Sequence, residues 1–298
     1  MTTDPTAPTA DQPGETETLQ YLAWARTWAA AAETSPLESP EVEQRVMDFF
    51  QQLCRRVEPA IALEIGAHEA SFSLWATREL PGVTSLAFEA NPYVHEKYRD
   101  EVLAAGVDYR NVAVAPTSGE VELHLPVELG NRVRPLTSRM ASLVHHVREV
   151  ESKTVSVPAV RLDEEPSLAE GSGRIVAWID VEGANEAVLC SGPDVLRRID
   201  VLYLEVEDEV TWEGQWLDTH TAAHLRRHGL LPVARDTRRP LQYNVVFVRD
   251  ELAADPQVAR QVARLQRFRK RPAPQGQGAG QGAGQGAGQG AGQGDQQS

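Results

Sequence analysis

From residue 60 onward the sequence alternates short apolar runs with helical stretches, and few folds accommodate that rhythm. Strands are expected at 61–67, 84–90, 107–114, 174–181, 201–207, 230–235 and 243–249, with helices near 71–80, 92–105, 184–198 and 217–228. Such alternation builds a parallel sheet with helices on both faces. Only "DTRRPLQ" separates the last two strands, too little for a crossover helix, so they should pair antiparallel. The section 115–173 breaks the pattern. In it, "SGEVELHLPV" and "KTVSVPAVRLDE" read as strands of an inserted hairpin.

The first strand ends in "ALEIGAHEASFS", residues 62–73, which breaks at Gly66 and runs into a helix. In open parallel sheets ligands sit beyond the carboxyl ends of the strands, where this break falls. A dinucleotide loop uses two further glycines, for pyrophosphate approach and helix packing. His68 and Ser71 occupy those places, which disfavours a nicotinamide or flavin dinucleotide. Acids gather at the same rim: Glu64, Glu89 in "FEANP", Asp180 and Glu182 in "IDVEG", and Glu205. Carboxylates repel phosphates and attract cations. S-adenosylmethionine suits such a rim, with ribose hydroxyls for Glu89, an ammonium for a carboxylate, and a sulfonium.

The rest of the chain narrows the class further. A formal net charge of −14 argues against a nucleic-acid footprint, which draws on clustered Lys and Arg. Two distant cysteines, Cys54 and Cys190, match no metal spacing, and neither a secretory leader nor a membrane-length apolar run is evident. A cytoplasmic protein outside the membrane is the expectation. Residues 1–18 and the Gly/Gln/Ala repeat at 272–298 are expected to be disordered by composition. Two helices within 19–58 should pack on the main domain, 59–250, with Trp24 and Trp28 in the core. A terminal helix with a basic, solvated end is expected over 251–271.

Seven segments taken in order resemble the FkbM-type methyltransferases: "LEIGAHEASFS", "FEANP", "NVAV" followed by "SGEVEL", "ASLV", "VPAVRLDE", "IDVEGANEAVL" and "YNVVFV". They span about residues 58–250. The resemblance implies a class I methyltransferase fold: a Rossmann-like, mostly parallel seven-stranded sheet with an antiparallel last strand and helices on both faces. It also implies methyl transfer to oxygen. The chain departs from the family pattern at His68, Ala70 and Ala90, where asparagine, glycine and proline are common.

By position, Gly66 and Ala67 would let backbone approach the methionyl part of S-adenosylmethionine, with Glu64 near its amino group. His68 lies in the same loop, Glu89 would accept both ribose hydroxyls, and Asn111 and Val112 would border adenine. Asp180 is the first choice of base for a hydroxyl, with Glu182 and Glu205 orienting it or binding substrate. These acids could also hold a divalent metal, but acid–base work is favoured because acids alone set no coordination geometry. His145 and His146 are candidate substrate donors, and the 115–173 insertion the candidate substrate region. The acceptor is expected to be a small molecule or saccharide. The alternatives are a nucleotide-sugar or dinucleotide enzyme, or a noncatalytic binding module on the same fold.

Overall fold

The computed structural model describes residues 14–33, 39–129, 132–148, 150–169, 172–236 and 241–266. Helices α1 (Glu15–Glu33) and α2 (Ser39–Val57) lead into β1 (Ile61–Ile65), α3 (Ser71–Glu79), β2 (Thr84–Phe88), α4 (Pro92–Ala104) and β3 (Asp108–Arg110). An inserted section carries β4 (Ala113–Val114), β5 (Gly119–Pro126), β6 (Glu128–Leu129), β7 (Arg132–Val133), β8 (Ser152–Val160) and α5 (Pro166–Ala169). The second half runs β9 (Ile175–Ile179), α6 (Asn185–Cys190), α7 (Pro193–Leu196), β10 (Ile199–Glu207), α8 (Asp218–Arg227), β11 (Leu230–Arg235) and β12 (Gln242–Arg249). Helices α9 (Asp250–Ala253) and α10 (Pro256–Leu265) follow.

The main sheet has the order β11-β12-β10-β9-β1-β2-β3. Strand β12 is antiparallel to both neighbours, and the remaining pairs are parallel. A mostly parallel seven-stranded sheet with one antiparallel strand is the architecture expected from the sequence. Side chains alternate between two apolar layers, as a sheet covered on both faces requires. Leu63, Ile65, Ala177, Ile179, Leu202 and Leu204 belong to one, and Ala62, Val176, Val201 and Tyr203 to the other. The second layer takes in Val46, Phe49, Phe50 and Leu53 of α2, Phe72 and Ala76 of α3, and Val258 of α10. Trp28 is buried there as well, whereas Trp24 is partly buried against the first layer. Among the described residues, no helix is long and apolar enough to cross a membrane.

Several expected elements divide. The expected strand 107–114 leaves the main sheet at Asn111, whose side-chain amide donates to the carbonyls of Glu89 (2.8 Å) and Ala90 (3.1 Å). Its continuation, β4, joins β8 and β5 in a separate three-stranded sheet, so the insertion is larger than a hairpin. The expected helix 184–198 is two helices. Gly192 lies between them, where a Cβ would come within 2.6 Å of Leu162, and Pro193 starts α7. Asp255 similarly divides the C-terminal helix by accepting the amides of Gln257 (2.7 Å) and Val258 (3.3 Å) at the start of α10. Helix α1 begins at Glu15, inside the stretch expected to be disordered, while 1–13 and 267–298 lie outside the described residues.

Phe50 of α2 is fully buried, with its ring 5.1 Å from Tyr203 and 5.4 Å from Phe72. Its truncation in Phe50→Ala is expected to lower unfolding free energy by about 3–5 kcal/mol, measured by urea denaturation. A loss below about 1 kcal/mol would show that α2 is not part of the cooperative core.

Candidate active site

Strand β1 ends at Gly66, and the reason for glycine lies across the sheet. A Cβ on Gly66 would stand 1.8 Å from the carbonyl oxygen of Asp180, and the residue has φ +75°. No side chain fits that approach, and the left-handed conformation disfavours one independently. The amides of Gly66 and Ala67 both reach the Phe88 carbonyl at 3.0 Å, while the Asp180 amide reaches Ile65 at 3.0 Å. The carboxyl ends of β1, β2 and β9 are thus fastened around one point.

Beyond that point lies a cavity lined by Gly66, His68, Glu89, Val112, Asp180 and residues of the 138–143 segment, among others. It encloses about 660 Å³ including its open mouth, within the size range of cofactor sites. Gly66, Asp180 and Arg139 also border a second recess, which Glu64, Ala67, Phe72, Trp75 and Trp178 help to line. Trp178 is the one residue of β9 that is not fully buried. A central parallel strand is normally covered on both faces, so this opening marks a gap in the helical layer.

Two buried acids serve the loops around the cavity. Glu64 accepts the amides of Phe72 (3.2 Å) and Ser73 (2.8 Å), at the N-terminus of α3. Burial pushes its pKa up to about 7, although those amides pull the other way. Glu89 accepts the amides of Asn91 and His68, both at 2.7 Å. Its pKa is also raised by burial, against the same kind of opposition. Each carboxylate oxygen can accept more than one hydrogen bond, so Glu89 keeps capacity for a ligand hydroxyl.

The loop itself is strained. His68 and Ala70 have φ of 47° and 57°, conformations that non-glycine residues seldom adopt. Ala70 therefore occupies a position suited to glycine. His68 is secured by its ring: Nδ1 pairs with Glu69, and Nε2 lies 3.2 Å from the Thr137 carbonyl. The Tyr109 hydroxyl donates to the His68 carbonyl at 2.5 Å. Asn91 donates to the Leu136 carbonyl at 2.7 Å, and Arg139 pairs with Glu69. These contacts fasten the inserted 136–139 segment beside the loop that follows β1.

Asp180, Glu182 and Glu205 come together, with one carboxylate oxygen from each lying within 4.8 Å of the others. Glu182 has φ 45°, and its carbonyl accepts the Ser142 hydroxyl at 2.6 Å. Beside it, Gly183 leaves no room for a side chain, because a Cβ would stand 2.3 Å from Trp212. Gln242 donates to Glu205 (2.7 Å) and to Glu207 (3.4 Å). Glu207 is buried, which raises its pKa, and it accepts the Gln215 amide at 2.5 Å. Such an assembly could take up a proton or bind hydroxyl groups.

Other expected residues stand apart from the cavity. Asn111 is engaged with the backbone of 89–90, leaving Val112 as the lining residue of that pair. His145 is exposed and lies against His124, their rings tilted and their centroids 3.8 Å apart. His146 packs edge-on against Trp212, and its Nδ1 accepts the Arg148 amide at 3.0 Å. Neither histidine lines either cavity. Sequence reading missed Glu207, although "LEVE" places it two residues from Glu205 on the same strand face. It also missed Arg139 and Trp178, which carry no local signal.

Glu64 makes stability depend on pH. Its folded-state pKa of about 7 exceeds the ordinary 4.5, so between those values the folded protein binds more protons than the unfolded chain. Stability from this group is full below pH 4.5 and lost as pH rises through 7. The stability of wild type relative to Glu64→Gln is expected to fall by up to about 3 kcal/mol between pH 5 and 8, in urea unfolding series. A constant difference would show that Glu64 is already ionised at pH 5.

Residues 64–231 match the Methyltransferase FkbM domain family. The 2-O-methyltransferase NoeI of Sinorhizobium fredii is 24% identical over 186 residues, which are 60% of this chain and 74% of NoeI. Among solved structures, precorrin-6y C5,15-methyltransferase from Geobacter metallireducens is 16% identical, with a TM-score of 0.37 over 70% of this chain and 89% of that one. The N-terminal domain of EvdMO1, crystallised in the presence of SAH and D-fucose, is 12% identical, with a TM-score of 0.38 over 72% and 84% of the two chains. The family match covers more than half of the sequence, and the chain belongs to the FkbM methyltransferase family.

Proposed function

We propose that the protein is an S-adenosylmethionine-dependent O-methyltransferase acting on a hydroxyl of a small molecule or saccharide. The observation that carries this reading is the buried Glu89 carboxylate, oriented by the His68 and Asn91 amides at the wall of the main cavity. A ribose diol suits such an acceptor, and Val112 offers an apolar surface to adenine nearby. Gly66 lines both the cavity beside Glu89 and the recess beside Glu64. Transfer to oxygen is supported by the likeness to NoeI, itself a 2-O-methyltransferase.

The cofactor supplies an electrophilic methyl group when bound. The protein's task is to align an acceptor hydroxyl with it and to remove the hydroxyl proton. Alignment of this kind contributes about 7–11 kcal/mol to lowering a barrier. Asp180 borders both cavities and is our choice for the base. Glu182 and Glu205, beside it, orient Asp180 or hold other hydroxyls of the acceptor. Proton uptake by a positioned carboxylate is typically worth about 10²–10⁴ in rate.

The first test is thermal unfolding with S-adenosylhomocysteine and with NAD. At about 100 times the dissociation constant a ligand adds about 2.7 kcal/mol, several degrees in midpoint for a domain of this size. We expect a rise with the homocysteine derivative alone, lost in Glu89→Ala. No rise, or a rise with NAD only, would sink the reading. The second test follows radiolabelled methyl transfer to pools of saccharides and hydroxylated small molecules. Asp180→Asn is expected to keep S-adenosylhomocysteine binding and lose about 10²–10⁴ in kcat on any acceptor found. Unchanged kcat would remove Asp180 as the base.

A further inference from the structure

The recess beside the main cavity poses an electrostatic problem for the donor. In the reading above, on which this inference rests, the ribose lies at Glu89 and the donor's ammonium near Glu64. The donor's carboxylate is bonded to the same carbon as that ammonium, so it must enter the same recess. There it meets two acids, Glu64 and Asp180. A carboxylate placed among carboxylates without a cation is strongly disfavoured.

Among the described residues, Arg139 is the only Lys or Arg that lines either cavity, and it lines both. It stands at their junction together with Gly66 and Asp180. The side chain is 60% exposed. Its contacts with both oxygens of Glu69 are made through Nη2 alone. The other guanidinium nitrogens, Nε and Nη1, make no hydrogen bond to the described residues. A guanidinium presents donors in a planar fork that matches a carboxylate, and this one retains most of its fork.

We propose that Arg139 is the counter-ion for the donor's carboxylate, and so a specificity-determining residue that selects donors carrying the complete amino-acid arm. The assignment also gives the inserted 136–139 segment a role. Its anchors through His68, Glu69 and Asn91 hold a cation over a recess that is otherwise acidic. Glu69 steadies Arg139 from the loop side and leaves Nε and Nη1 for the ligand's carboxylate.

Two ligands separate this role from a structural one. S-adenosylhomocysteine carries the amino-acid arm, whereas 5′-methylthioadenosine keeps the adenosine and thioether but lacks it. Affinities of both would be measured by calorimetry for wild type, Arg139→Ala, Arg139→Lys and Glu69→Gln. Arg139→Ala is expected to weaken S-adenosylhomocysteine by about tenfold or more, as the loss of a charge-assisted contact implies, and to leave 5′-methylthioadenosine unchanged. Arg139→Lys should recover part of the loss. Glu69→Gln removes the charge partner but keeps the cation, so it should not reproduce the loss. Unchanged S-adenosylhomocysteine affinity in Arg139→Ala would overturn the proposal. So would an equal loss for both ligands, which would make Arg139 a brace for the insertion. If wild type binds neither ligand, the donor reading fails first and this inference falls with it.

Discussion

The site depends on how closely the backbone of β1 passes the backbone of β9. At Gly66 the two strands separate, and the Asp180 carbonyl occupies the place where a side chain would begin. Since Asp180 directly follows β9, the same contact that requires glycine also positions the candidate base. Adjacent ladder bonds fasten Gly66 and Ala67 to β2. The opening is consequently set by the main sheet itself, the most extensively paired part of the fold. A site built on such elements resists displacement better than one built on loops.

The acids around that opening have different tasks. Glu64 and Glu89 are each held by two backbone amides, which orient the carboxylates before any ligand arrives. Burial raises both pKa values, so each is poised to gain from a hydrogen-bond donor or a cation. Asp180, Glu182 and Glu205 are less buried and lie together. In the proposed function the first pair holds the ligand and the second group handles the proton, with Gln242 bridging Glu205 to Glu207.

The insertion adds what the main sheet lacks. Strands β4, β5 and β8 form a platform of their own, from which Leu123 reaches the cavity and the 136–143 segment borders its mouth. The pairing of His68, Glu69 and Asn91 with this segment couples the loops after β1 and β2 to a part of the chain some 45–70 residues away in sequence. Left-handed conformations at His68 and Ala70 are maintained because these contacts and the surrounding packing determine them.

Much of this was legible in the residues. Alternating apolar runs specified the parallel sheet, because period-two and helical patterns leave a mark on every element, and the short link "DTRRPLQ" specified the antiparallel final strand. Gly66, Glu89 and Asp180 were readable because strand ends in such a sheet converge on one rim. Only the tertiary structure decided the rest. The main-chain role of Asn111 depends on carbonyls at the end of the neighbouring strand β2, some twenty residues away in sequence, and the separation of His145 and His146 from the cavity depends on how the insertion folds. The position of Arg139 at the junction of two cavities arises from long-range packing, which local composition does not encode. Local periodicity thus determined the scaffold, while contacts between distant segments determined which charges meet.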